Sequence, residues 1–278
     1  MPELPEVETV RRTLAPAIGE KIASVWGSGL GLHQRRVPPL AELRRTLVGT
    51  RITAARRRGK VLLVDCEPGA AVFLCHLGMS GRLRLYPAAD PRPPHTHVVL
   101  GLGARELRFS DPRRFGLIDL THRGDEGAHP SLAGLGRDPL AEPLSGDYLR
   151  ACFSGRRAQV KALLLDQRHV AGIGNIYACE ALWRAGISPF APGHRLGPAR
   201  ADRLAEAIAE VIAAALGHGG TSLRDFVSAD GRTGSHAEHL EVYGHTGAGC
   251  PRPGCGGIIR RAIIAGRATF FCPRCQHR

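Results

Sequence analysis

KVLLVDC (60–66), AVFLCHL (71–77), RLRLY (82–86), HVVLGL (97–102), ELRFS (106–110) and GLIDL (116–120) succeed one another with Gly- and Pro-containing breaks between them. Short runs rich in Val, Leu, Ile and Phe, bounded by turn residues, predict β-strands that close into a sandwich or barrel. Upstream, Val7, Val10 and Leu14 recur at one-face helical spacing behind Pro5 and Glu6. Glu8 follows early and Arg11 and Arg12 late, which is the order the helix dipole favours. A second short helix is expected near 41–47. Downstream, residues 121–146 lose apolar periodicity and gain Gly and Pro, so a domain boundary is placed there. Helical patterns follow near 147–153, 158–166, 174 or 175 to 185, and 199–216, where Leu204, Ile208, Val211, Ile212 and Leu216 share a face. The polar stretch 218–239 is long for a loop in a compact domain, which points to function or motion.

The length, 278 residues, predicts about two domains. The formal charge is +13, and it is concentrated: residues 1–60 carry 12 basic and 5 acidic side chains, residues 250–278 carry 6 basic and no acidic ones, and the segment between is neutral. A polyanion is the default partner for such patches, because Lys and Arg near phosphates release condensed counterions. A solvated surface is the alternative. Only Lys21, Lys60 and Lys161 are lysines among the 38 basic residues, and an ammonium can exchange its proton where a guanidinium cannot. No apolar run approaches a membrane span and no signal peptide opens the chain, so a soluble, cytoplasmic protein is expected.

Four of the eight cysteines fall in the last 29 residues as Cys250-x4-Cys255 and Cys272-x2-Cys275. The β-runs IIRRAII and ATFF between the pairs read as a hairpin turning at Ala265 and Gly266. Four thiolates suit one tetrahedral Zn2+, and a closed shell leaves no open position, so the metal is expected to be structural. Arg252, Arg260, Arg261, Arg267 and Arg274 surround this hairpin, as phosphate contacts or as part of a protein-interaction module. In AGIGNIY (171–177), Gly172 and Gly174 free the backbone and Asn175 is expected to cap a helix facing an anion. Tyr177 stands where a dinucleotide fold would need another glycine, so no Rossmann site is indicated.

The opening PELPEVETVRR (2–12) has two readings: a well-capped helix start, or a reactive terminus. Methionine before proline is normally removed, and an α-amine with pKa near ~8 keeps a neutral, nucleophilic fraction. The sequence resembles the bacterial formamidopyrimidine-DNA glycosylases (8-oxoguanine DNA glycosylases) in this opening. The resemblance continues in RRGK (57–60), HLGMSGRL (76–83), DPRRFG (111–116), LLLDQRHVAGIGNIYACEAL (163–182), GGTSLRDF (219–226), VYG (242–244) and RATFFCPRCQ (267–276). It implies an α+β multidomain fold. An N-terminal two-layer β-sandwich with flanking helices would occupy 1–130 and a linker 131–145. A helix-two-turns-helix domain with a lesion-capping loop would fill 146–240, and a zinc-ribbon hairpin 241–278.

The implied activity is base-excision repair of duplex DNA containing oxidised purines: base release, then strand cleavage by β- and δ-elimination. The expected protein is a monomer without small-molecule cofactor. Residue by residue, the resemblance implies Pro2 as nucleophile, Glu3 as the acid assisting base loss and Glu6 as the residue orienting them. It implies Lys60 for proton transfer in β-elimination and Arg267 for δ-elimination. Met79, Arg113 and Phe115 would fill the void left by a flipped base, and His95, Arg156 and Asn175 would grip phosphates. Read without the resemblance, Lys60 is a strand-end charge, Arg267 one of five similar hairpin arginines, and Met79 and Phe115 core residues on alternating strands. Lys161 faces either the same groove or solvent. The loop GSHAEHL (234–240) departs from the family's GYFQQEL, which leaves base preference open, and Cys-x4-Cys departs from the usual x2, which leaves the first zinc knuckle open. The rivals are a pyrimidine-directed relative of the endonuclease VIII type, which opens PEG rather than PEL, and a non-catalytic zinc-ribbon DNA-binding protein.

Overall fold

The computed structural model describes residues 1–32, 37–221 and 228–277. The chain packs as two units, residues 1–134 with 218–235, and residues 135–217 with 236–278.

The first unit is a two-layer sandwich of antiparallel sheets. One sheet runs β1(Ser24–Gly27)-β6(Thr96–Gly101)-β7(Arg105–Ser110)-β5(Arg82–Pro87), the other β2(Arg51–Arg58)-β3(Val61–Glu67)-β4(Ala71–His76)-β8(Leu117–His122). Alternate residues of each sheet fill one core: Leu62, Val64, Phe73, Cys75 and Ile118 from the second, Leu83, Val98, Leu100, Leu107 and Phe109 from the first. Helix α1 (Leu4–Thr13) adds Val7 and Val10, and α2 (Leu40–Leu47) adds Leu43 and Leu47.

Six strands lie where the apolar runs put them. β1 and β2 do not announce themselves. In β2 (RITAARRR) the register shifts between Ile52 and Ala54, so the core-facing residues Ile52 and Ala55 stand three apart and the period of two is broken.

Residues 218–235, expected within the helical domain, belong to the first unit because α1 holds them at both ends. The Thr221 amide donates to Glu6 Oε1 (2.7 Å) and the Ala229 amide to Thr13 Oγ1 (3.0 Å). Ala229 is itself fully buried in the sandwich core, and its carbonyl accepts from the Leu85 amide (3.0 Å). Of the motif GGTSLRDF, residues 222–226 lie outside the described residues.

The second unit contains α3 (Gly146–Phe153), α4 (Val160–Leu165), α5 (Asn175–Arg184), α6 (Pro198–Gly217) and the hairpin β9 (Arg260–Ile264) and β10 (Arg267–Phe271). Ser145 caps α3 by accepting the Tyr148 amide. Among the described residues no helix is long and apolar enough to cross a membrane.

Candidate active site, DNA contacts and zinc centre

Pro2 and Glu3 are buried at the start of α1. Glu3 and Glu6 form a capping box in which the Glu3 amide donates to Glu6 Oε2 (2.8 Å). With its other oxygen bound by Thr221, the Glu6 carboxylate fastens the N-terminus to the 218–235 segment.

Lys60 occupies the two-residue turn between β2 and β3, half-buried rather than fully solvated. Gly59 has φ +57 and Lys60 does not have a positive φ, which matches a type II′ hairpin with glycine at its first corner. The Lys60 Cα therefore has one place relative to two paired strands.

Met79 and Phe115 are not strand residues. Met79 lies in the turn 78–80 after β4 and Phe115 in the loop 111–116 before β8, both half-buried. Gly78 has φ +59, and a Cβ there would meet the Phe115 carbonyl carbon at 2.5 Å, so the turn seats directly on that loop. Asp111, fully buried, joins them. Its Oδ1 accepts from Ser80 Oγ (2.6 Å) and the Arg113 amide (3.2 Å), and its Oδ2 from the Gly116 amide (2.8 Å). Its own amide donates to the carbonyl of His95 (3.0 Å), an exposed residue at φ +60. The exposed Arg113 guanidinium lies 5.0 Å over the Phe115 ring. Asp111 thus places four of the expected DNA contacts. Nothing in the sequence singled it out beyond its position in DPRRFG.

In the second unit Arg156 is exposed between α3 and α4, its Nε donating to the Cys152 carbonyl (2.8 Å). Two expectations are corrected here. Asn175 does not cap α5 with its side chain: Gly174 holds the N-cap position, and Asn175 is the first helical residue. Lys161 faces neither solvent nor a groove. Its side chain is fully buried, and Nζ donates to Asn175 Oδ1 (2.7 Å), the Ala268 carbonyl (3.1 Å) and Thr269 Oγ1 (2.6 Å). Asn175 Nδ2 also donates to the Ala268 carbonyl (2.9 Å). One buried ammonium with three acceptors is the satisfied arrangement a low-dielectric interior requires, and it ties α4 and α5 to the strand that begins with Arg267. Arg267 is exposed beside the turn Ala265–Gly266, whose φ values, +48 and +68, are those of the hairpin read from the sequence. Glu180 was not foreseen either: its buried carboxylate accepts the amides of Glu241 (3.0 Å), Val242 (3.1 Å) and Tyr243 (2.8 Å), fixing the VYG segment.

The Sγ atoms of Cys250, Cys255, Cys272 and Cys275 lie within 4.8 Å of one another, with Cys250–Cys275 at 3.8 Å and Cys255–Cys272 at 3.6 Å. A tetrahedron of Zn–S bonds of about 2.3 Å has edges of about 3.8 Å, whereas a disulfide needs about 2.05 Å. The donor set therefore fits zinc, and the x4 knuckle closes as well as the x2 one, aided by the Cys255 amide donating to the Arg252 carbonyl (3.0 Å). Burial opposes ionisation of Cys250, but the Trp183 Nε1–H at 3.4 Å, the Arg252 amide and the adjacent thiols bring it down to about 7. Burial and the same thiols push Cys275 up to about 12.

Three family models match in chain order: a formamidopyrimidine-DNA glycosylase N-terminal domain over residues 1–118, the helix-two-turns-helix (H2TH) domain of the same enzyme over 135–227, and a zinc finger found in that enzyme and in isoleucyl-tRNA synthetase over 250–278. The formamidopyrimidine-DNA glycosylase of Aromatoleum aromaticum is 46% identical over 279 residues, with all of both chains covered, and that of Xanthomonas campestris pv. campestris 48% over 278 residues, covering 99% of this chain and 100% of the relative. Among solved structures, a mutant of the Lactococcus lactis enzyme in complex with Fapy-dG-containing DNA superposes with TM-score 0.91 at 34% identity over the whole of both chains. The same enzyme with oxidised-pyrimidine DNA gives 0.89 at 34%, again over the whole of both chains.

Proposed function

Because the chain belongs to the formamidopyrimidine-DNA glycosylase family, DNA glycosylases of base excision repair, we propose that it is bifunctional, releasing oxidised purines and then nicking the strand at the same site. The observation that carries this reading is the fixed N-terminus. Pro2 and Glu3 are buried, and Glu6, beyond closing the capping box on the Glu3 amide, accepts the Thr221 amide with its other oxygen, a tie that a mere helix start has no need of.

With Met1 removed, the Pro2 nitrogen is a secondary amine and no longer an amide. Its lone pair attacks the sugar C1′ and the C1′–base bond breaks; the departing base and the opening ring oxygen take up one proton each, one supplied by Glu3 and the other given up by the attacking Pro2 nitrogen. The product is an iminium, the Schiff-base strategy run on a terminal amine. Loss of a C2′ proton then expels the 3′ phosphate, a second elimination expels the 5′ phosphate, and water releases Pro2. Lys60 moves protons in the first elimination and Arg267 assists the second. Extruding the base costs a few kcal/mol, and Met79, Arg113 and Phe115 refill the stack in its place. His95, Arg156 and Asn175 contact phosphates, Asn175 from a side chain already oriented by Lys161 and Ala268. One Zn2+ held by Cys250, Cys255, Cys272 and Cys275 keeps the ribbon folded and takes no part in the chemistry. The enzyme acts as a monomer on duplex DNA in the bacterial cytoplasm.

Borohydride trapping on 8-oxoguanine duplex tests the chemistry. A covalent adduct is expected for protein with a confirmed Pro2 terminus, and its absence sinks the Schiff-base reading. An N-terminal tag left in place should abolish trapping. Lesion preference is tested by a panel, since the Lactococcus lactis relative has been captured with both a ring-opened purine and an oxidised pyrimidine. The loop that departs from the family places His236, buried, in a stack on Tyr177 with ring centroids 6.2 Å apart. A purine preference predicts faster release of 8-oxoguanine and formamidopyrimidines than of oxidised pyrimidines; the reverse order refutes it.

A further inference from the structure

Helix α1 carries Pro2 and Glu3 at its start, and the β2–β3 turn carries Lys60; one buried ion pair joins the two. Glu8, 5% exposed, sits one turn into α1 and is surrounded by guanidinium groups. Its Oε1 accepts from Arg11 Nη2 (2.8 Å) and Arg12 Nε (2.9 Å), and its Oε2 from Arg11 Nε (2.8 Å) and Arg57 Nε (3.3 Å). Arg11 and Arg12 belong to the same helix and reach solvent. Arg57 comes from β2, its side chain is only 4% exposed, and its Nη1 donates to the carbonyl of Gly59 (2.9 Å), the first corner of the Lys60 turn. Arg57 follows Ala55 on the core-facing side of the strand, whereas its neighbour Arg58 is exposed.

We propose that Arg57 is a positioning residue, which, braced on Glu8, fixes the Lys60 turn against the helix that presents the nucleophile. Burial removes Arg57 from the set of phosphate contacts, so its charge is spent inside the protein. The planar fork is what the task needs. It donates from Nε to a carboxylate on one element and from Nη1 to a carbonyl on another, which a lysine cannot do from one nitrogen on a flexible stem. The inference rests on the reading of Lys60 as the proton-transfer group in β-elimination.

The test uses the full zinc-loaded chain with its Pro2 terminus confirmed by mass. Two single-turnover rates are measured: base release from 8-oxoguanine duplex, and strand cleavage of a preformed abasic duplex. Lys60→Met is expected to slow cleavage roughly 100-fold, the scale of a lost general acid–base group, and base release far less. Arg57→Met should show the same split, with cleavage down by roughly ten-fold or more, and Arg57→Lys should not rescue it. The double variant should be no slower than Lys60→Met alone. If Arg57→Met does not fold, Glu8→Gln carries the test, since Arg11 and Arg12 keep an acceptor while Arg57 loses its counter-charge. Arg57 variants that slow both steps equally, or multiply with Lys60→Met in the double variant, overturn the inference and leave Lys60 standing. A Lys60→Met enzyme with no split overturns the reading of Lys60 and the inference with it.

Discussion

Asp111 offers the sharpest test of how the first unit holds the residues proposed to contact DNA. Asp111→Ala strips acceptors from Ser80 Oγ, the Arg113 amide and the Gly116 amide. The Arg113 amide keeps a second acceptor in Ser80 Oγ (3.3 Å) on an exposed residue, so it counts for little. Ser80 and Gly116 are buried, and each buried donor left unsatisfied costs about 1–3 kcal/mol. The expected loss is therefore about 2–6 kcal/mol, a large share of the roughly 5–15 kcal/mol that holds a domain together. Asp111→Asn is milder. One oxygen still serves Ser80, but an NH2 now confronts the Gly116 amide, and about 1–3 kcal/mol should go. Urea unfolding at 25 °C measures the totals. Hydrogen exchange locates them: the Gly116 amide should be protected in the native protein and exchange markedly faster in Asp111→Asn, while amides of the β3–β4 ladder keep their protection. An Asp111→Ala protein within 1 kcal/mol of the parent, or an unchanged Gly116 exchange rate, refutes the claim that this carboxylate holds the loop.

Stripping zinc with a chelator should unfold the cysteine ribbon and cost DNA affinity together; full affinity in the stripped protein denies the ribbon its role. Glu8 is held at about 2, since hydrogen bonds from Arg11 and Arg12 and the charge of Arg57 outweigh its burial. Its contribution is therefore complete above the unfolded value near ~4.3 and lost as pH falls through 2. The stability gap between the parent and Glu8→Gln should be about 1–3 kcal/mol at neutral pH, after allowing for the solvent around Arg11 and Arg12, and should close between pH 4.5 and 2. A gap independent of pH would show that the charge is not what matters. Ala265→Gly relieves a left-handed alanine (φ +48) and should stabilise the second unit by about 1 kcal/mol in urea; a loss would mean the turn is not strained. Arg267→Gln should lower the slope of log affinity against log salt by about 0.9, one phosphate contact. Arg56→Gln, whose guanidinium is already bound to Asp65 and Glu126, should leave that slope alone.

What could be read from the sequence follows from the range of the interactions. Strands β3, β4 and β6 are buried on both faces, so their apolar runs are nearly continuous and need no partner to be recognised. β2 hides because a bulge breaks its period and because Arg56 and Arg57 stand where apolar residues would, neutralised by Asp65 on the next strand and Glu8 on α1. The zinc ligands show in the sequence because both cysteine pairs and their hairpin fit within 29 residues. Lys161 does not, because two of its acceptors lie 107 and 108 residues further along, and no spacing rule spans that distance. The Asn175 side chain was misassigned for the same reason. A cap is a local expectation, and the competing ammonium and carbonyl come from elsewhere in the fold.

The same accounting changes the meaning of the terminal charges. Part of the basic charge of residues 1–60 is turned inward within the first unit: Arg11, Arg12 and Arg57 share Glu8, and Arg56 bridges Asp65 and Glu126. These guanidiniums complete the carboxylates of Glu8, Asp65 and Glu126. The ribbon is different. Its segment contains no acid at all, and among the described residues Arg260, Arg261, Arg267 and Arg274 are outside the ion pairs that bind the arginines of α1 and β2. The formal charges at the two ends, +7 and +6, are thus differently placed. In the first unit Arg56 and Arg57 brace carboxylates, whereas the exposed ribbon arginines are expected to make the salt-sensitive contacts with phosphate. Under the proposed mechanism, specific chemistry depends on few, well-placed groups in the first unit, while affinity and its salt dependence should be governed disproportionately by the second.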